Sequence, residues 1–124
     1  MNVTLSLVSV VDDDESVRES LPDLLRAFGF SAKAFASAED FLASDIVGQT
    51  RCLILDVSMP GMSGPDLQLE LERRGLPIPI VFITAQRDDT MRPRLLAQGA
   101  AECLFKPFCE AALQGAISSA LTAP

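Results

Sequence analysis

The 124 residues make one domain's worth of chain, with no room for a second folded unit; a chain of this size buries about two-thirds of its surface on folding and can build its own core. Apolar residues make up 48% of it, yet no stretch approaches the ~20 consecutive apolar residues of a membrane span, and the net charge of −7 repels nucleic-acid phosphates, which argues against direct binding of DNA. The three cysteines (Cys52, Cys103, Cys109) show no CxxC spacing and there is no histidine, which argues against a disulfide framework, a zinc site and imidazole acid–base catalysis and favours a reducing compartment, the cytoplasm.

No positively charged segment followed by a long apolar stretch opens the chain, so no secretory signal is expected. Leu5 to Val11 is a short Val- and Leu-rich run that stops abruptly at Asp12, Asp13 and Asp14; it reads as a buried strand whose C-terminal end carries acids. Val17, Leu21, Leu24, Leu25 and Phe28 then recur at helical spacing, and Gly29 ends the pattern. Pro22 lies inside that helix, so either a kink or a proline tolerated through tertiary packing is expected. Ser31 to Phe35 suits a second strand, and Ser37 suits the N-cap of a short helix through Leu42, with Asp40 three residues on.

Cys52 to Leu55 reads as a third buried strand ending in Asp56, followed by the turn-rich loop Met59-Pro60-Gly61-Met62-Ser63-Gly64. Pro65 suits the first turn of a helix that stops at Gly75. Ile78 to Ile83 is a fourth strand, ending in Thr84. A helix between Asp89 and Gln98 contains Pro93, which fits only if the helix starts late. Ala101 to Phe105 is a fifth strand, followed at once by Lys106-Pro107. The last helix carries Leu113, Ala116, Ile117, Ala120 and Leu121 on one face. The chain stops soon after, an ending that suits a complete small protein or a fragment cut at a domain boundary.

Five strands alternate with five helices. Continuous apolar strands indicate a parallel sheet covered on both faces, and right-handed crossovers make it doubly wound, a three-layer α/β/α arrangement. Ligands in such sheets bind beyond the carboxyl ends of the strands. Asp12, Asp13, Asp56, Thr84 and Lys106 each follow an apolar run directly, so all should meet at one edge. Three carboxylates gathered there repel one another, and a divalent cation relieves the repulsion. An all-oxygen ligand set favours Mg²⁺, or Mn²⁺ in its place. Asp56 could then act as a carboxylate nucleophile, with Lys106 and Thr84 as partners for phosphoryl oxygens.

The blocks Val10-Val11-Asp12-Asp13-Asp14-Glu15-Ser16-Val17-Arg18, Leu53 through Gly64, Ile83-Thr84-Ala85 and Phe105-Lys106-Pro107-Phe108 resemble the signature blocks of response-regulator receiver domains of the CheY-like superfamily, in particular those of the nitrogen-fixation regulator (FixJ) type. The resemblance covers nearly the whole chain, residues 1–124 as one receiver domain. It implies a flavodoxin-like fold with strand order 2-1-3-4-5. It also implies roles: Asp56 as phosphoacceptor, Asp13 as a direct Mg²⁺ ligand, Asp12 acting mostly through a bound water, and the Ser58 carbonyl as a further ligand. Thr84 would contact the phosphoryl group and move toward it on activation; Lys106 would pair with that group, with a cis bond to Pro107.

The implied function is a phosphorylation switch of a two-component system. A sensor histidine kinase supplies the phosphoryl group, and the domain catalyses only its own modification rather than acting as a turnover enzyme. The surface of the fourth helix, fifth strand and fifth helix would then control a homodimer or an output module of transcriptional type. One position departs from the family. Three residues before Lys106, where Tyr or Phe is usual, stands Cys103, and a thiol cannot act as a rotating ring. Phe105, two residues on, should face the same side. The competing reading is an interaction module that works without phosphorylation. The plain alternative for Asp12, Asp13 and Asp14 is an acidic helix cap; for Cys103, a small core residue.

Overall fold

The computed structural model describes residues 5–86 and 88–122. Five strands, β1 (Leu7–Val11), β2 (Ser31–Phe35), β3 (Thr50–Asp56), β4 (Ile80–Thr84) and β5 (Glu102–Phe105), alternate with five helices, α1 (Glu15–Ala27), α2 (Ala38–Ala43), α3 (Gly64–Arg73), α4 (Met91–Ala97) and α5 (Glu110–Thr122). A single 3₁₀ turn, Val47–Gln49, leads into β3. All strand pairs are parallel, and the order is β2-β1-β3-β4-β5, as expected for a flavodoxin-like sheet.

The apolar runs serve both faces of the sheet, which is why they are continuous rather than alternating. Val8, Val10, Ile54, Val81 and Ile83 pack with Leu21 and Leu25 of α1 and Leu113 and Ile117 of α5. Val11, Leu53, Leu55 and Phe82 pack with Phe41 of α2, Leu67 and Leu71 of α3 and Leu95 of α4. Residues Cys52 to Val57 are buried without interruption. No helix among the described residues is long and apolar enough to cross a membrane.

The helix starts follow their caps. Asp14 accepts from Ser16 N at 2.9 Å at the head of α1. Ser37 accepts from Asp40 N at 3.0 Å at the head of α2. Ser63 and Asp66 form a reciprocal capping box at α3, with Pro65 in the first turn. α1 runs unbroken through Pro22, whose ring is buried, so packing offsets the lost hydrogen bond. α4 begins at Met91 rather than near Asp89. Pro93 thereby falls third in the helix, where its missing N–H has no partner to lose.

Other boundaries shift for local reasons. β1 begins at Leu7, not Leu5, and Leu5 lies exposed. β4 begins at Ile80 rather than Ile78, because Pro77 and Pro79 cannot donate to a ladder. β3 is longer than its apolar stretch. It takes in Thr50, whose buried hydroxyl sits 2.8 Å from that of Ser9 and also donates to Ile46 O at 3.0 Å.

Candidate functional site at the carboxyl edge of the sheet

The sequence-predicted residues do meet at one edge. Asp12 follows β1 directly and is fully buried. Its backbone N–H donates to Phe35 O at 3.2 Å, and its Oδ1 accepts from Asp14 N at 2.9 Å. Its carbonyl accepts from Arg18 Nη1 at 3.1 Å, and its Oδ2 takes Lys106 Nζ at 2.8 Å. Asp13 is exposed beside it, and Asp56, 7% exposed, closes β3. One carboxylate oxygen from each of Asp12, Asp13 and Asp56 lies within 4.8 Å of the others. The helix-cap alternative therefore holds for Asp14 alone.

This crowding changes the acidity of Asp56. Burial first, and then the neighbouring charge of Asp12, push its carboxyl up to about 7; Lys106 pulls the other way, and hydrogen bonds with Asp12 and Asp13 add to the rise. The pKa of Lys106 rises as well, which for an amine favours the charged form. Burial works against its charge, but the bond to Asp12 and the charges of Asp12, Asp56 and Asp14 raise its pKa. Three carboxylates, two of them buried and one holding a proton up to neutral pH, fit a hard divalent cation. A cation such as Mg²⁺ would replace that proton and relieve the repulsion.

Thr84 closes β4 and is buried. Its Oγ1 accepts from Gln86 N at 3.1 Å, and its carbonyl accepts from Lys106 N at 2.8 Å, which ties it to the lysine through the backbone. The Lys106–Pro107 bond is cis. Ser58 is exposed, two residues beyond Asp56. Cys103 is 2% exposed, sits opposite Phe82 in the sheet register and packs into the core beneath α4. Phe105, half-buried, pairs in register with Thr84.

Sequence reasoning gave no role to two residues that shape the site. Gly64 reads only as a turn former. A Cβ there would collide with the carbonyl oxygen of Asp56 and lie 3.0 Å from the ring of Phe82 and 3.1 Å from Val57 Cα. Arg18 stands inside a quoted block, but nothing in its spacing announces a bond to the Asp12 carbonyl.

Residues 8–118 match the family described as the response regulator receiver domain. Nodulation protein W of Bradyrhizobium diazoefficiens is 44% identical over 117 residues, which cover 94% of this chain and 52% of that protein. The response regulator protein TmoT of Ectopseudomonas mendocina is 46% identical over 123 residues, 98% of this chain and 55% of that protein. The crystal structure of FixJ-N superposes with a TM-score of 0.85 at 35% identity and covers 98% of both chains. The chain spans about half the length of the curated relatives it matches. With the sheet order, the acid cluster and a family match across almost all of its length, this chain belongs to the response-regulator receiver domains.

Proposed function

We propose that this receiver, residues 1–124 acting as one unit, is a phosphorylation switch that takes a phosphoryl group from a sensor histidine kinase onto Asp56. The observation that carries this reading is the buried Asp56 carboxylate within 4.8 Å of those of Asp12 and Asp13, with Lys106 already held at the same cluster. Asp13, Asp56 and the Ser58 carbonyl would hold Mg²⁺ directly, and Asp12 through a water. When bound, the ion supplies positive charge for the phosphoryl oxygens and favours the ionised form of Asp56.

The protein's own part is positioning and charge. Asp56 Oδ would attack phosphorus from a fixed strand end as the P–N bond to the kinase's phosphohistidine breaks, the imidazole leaving with the bonding pair, so that the domain carries the phosphoryl group as an acyl phosphate. Lys106 exchanges Asp12 for a phosphoryl oxygen. Thr84 Oγ1, which accepts from Gln86 N, would donate a hydrogen bond from its hydroxyl to a phosphoryl oxygen of the same group. The domain turns over only its own phosphoaspartate and is not an enzyme acting on other substrates.

The output is a change on the surface of α4, β5 and α5 that controls a homodimer or an output module of transcriptional type. The acidic chain makes no direct contact with nucleic acid and works in the cytoplasm. A phosphorylation-independent interaction module is the second reading, favoured by the buried Cys103, which offers no ring to rotate.

Intact mass after incubation with acetyl phosphate decides between them. A Mg²⁺-dependent gain of one phosphoryl group, absent in Asp56→Asn, is the expected result. No gain in a wild type that demonstrably binds Mg²⁺ would favour the interaction module.

A further inference from the structure

The loop from Val57 to Ser63 begins at the acceptor and carries the Ser58 carbonyl. Its ends are fixed. Val57 N donates to Ile83 O at 3.0 Å, Gly64 N donates to Val57 O at 3.0 Å, and Ser63 belongs to the capping box of α3. Its middle belongs to no helix or strand. Among the described residues, one hydrogen bond ties that middle to another element: Met62 N donates to Oε2 of Glu39 at 3.3 Å, across 23 positions of sequence.

Glu39 is the second residue of α2. An acid there also suits the helix dipole, but the dipole alone does not bring a carboxylate onto a distant loop. The loop backbone is shaped to receive it. Gly61 has φ +74, and a Cβ at that position would stand 2.8 Å from the same Oε2. One carboxylate oxygen thus meets two consecutive residues, Met62 through its N–H and Gly61 through its lack of a side chain.

We propose that Glu39 is a positioning residue of the acceptor site: its carboxylate pins the Gly61–Met62 backbone and so holds the loop that presents the Ser58 carbonyl beside Asp56. The proposal rests on the reading of Asp56 as the acceptor and of Ser58 as a metal ligand. Glu39 takes no part in the chemistry; it fixes the backbone from which one ligand is offered, and small displacements of such groups are expensive.

Mn²⁺ binding followed by electron paramagnetic resonance tests it on the whole chain, in wild type, Glu39→Ala, Glu39→Gln and Gly61→Ala. The amide oxygen of Gln accepts the same bond without the charge. Glu39→Ala is expected to weaken Mn²⁺ binding about fivefold, the worth of one net hydrogen bond, and to slow mass gain from acetyl phosphate alike. Glu39→Gln should stay within about twofold of wild type by the same scale. Gly61→Ala both crowds the same oxygen and strains a backbone at φ +74, so it should lose at least as much as Glu39→Ala. Wild-type Mn²⁺ affinity in Glu39→Ala, or an equal loss in Glu39→Gln, overturns the proposal; the second result would make the effect one of charge. A wild type that binds Mn²⁺ but gains no mass sinks the acceptor reading instead, and leaves the Mn²⁺ comparison able to judge Glu39.

Discussion

Lys106 Nζ lies 2.8 Å from Oδ2 of Asp12, joining the ends of β5 and β1, two strands that are not neighbours. β3 and β4 stand between them, so the lysine reaches across the strand that ends in Asp56. The pair satisfies a carboxylate side chain with no exposed surface, while the lysine side chain keeps about a fifth of its own (21%). Replacing Lys106 with Met leaves a buried charge without its partner. In chelator, urea unfolding should show a loss of about 2 kcal/mol, below the 3–5 of a fully buried pair because the lysine side chain is partly exposed. Added Mg²⁺ should narrow the gap. Equal stability of the two proteins in chelator would mean that Asp12 does not depend on the lysine.

The acidity of Asp56 predicts a pH dependence in the metal-free protein. Its carboxyl sits near 7 in the folded state, against an ordinary value of about 3.9. Between these values the folded chain holds a proton that the unfolded chain has released. The stabilisation is complete below about pH 4 and is lost as the pH rises toward 7. Asp56→Asn cannot ionise. In chelator the variant should match wild type near pH 4 and exceed it at pH 7, by on the order of 2 kcal/mol. Denaturation series at three pH values measure this, and a gap that does not change with pH refutes it.

Gly64 leaves no space for a side chain. Gly64→Ala puts a methyl group against the Asp56 carbonyl and the Phe82 ring. The start of α3 must then draw back from the Asp56 carbonyl, at a cost of about 1–3 kcal/mol. Because the clash is with the Asp56 carbonyl and the loop that follows it, phosphoryl uptake under the proposed acceptor role should slow along with the fall in Tm. A variant with reduced Tm and unchanged uptake would place the strain elsewhere.

Cys103 predicts the reverse pattern. It fills a core position opposite Phe82 and near Met91 and Leu95. Cys103→Tyr overpacks that core and should cost about 1–3 kcal/mol. Uptake from acetyl phosphate should be retained, since Cys103 touches none of the acid cluster. Thermal unfolding and intact mass read the two effects separately.

The sequence discloses the site more fully than the contacts within it. A parallel sheet sends every strand's carboxyl end to one edge, so the polar residue that ends each apolar run can be assigned to that edge from spacing alone. Asp56, Thr84 and Lys106 are legible this way. The Asp12–Lys106 bond is not, because it joins positions 94 residues apart, and no local pattern ties one to the other. Gly64 and Glu39 are hidden for the same reason: one matters for what a missing atom admits, the other for a loop brought to it by the fold. Thr50 and Arg51 escape the third strand because hydroxyl pairing, not apolar character, carries its first residues.

The uninterrupted burial from Cys52 to Val57 makes β3 an anvil. Asp56 ends a strand clamped on both faces, paired with β1 from Thr50 to Leu55 and with β4 from Leu53 to Asp56. A change of charge at its carboxylate cannot be absorbed by the strand, so the neighbours must yield: the lysine, the Thr84 hydroxyl and the loop that follows. Amide hydrogen exchange should then leave β3 protected in every state of the domain, with the differences between states confined to the rim around it.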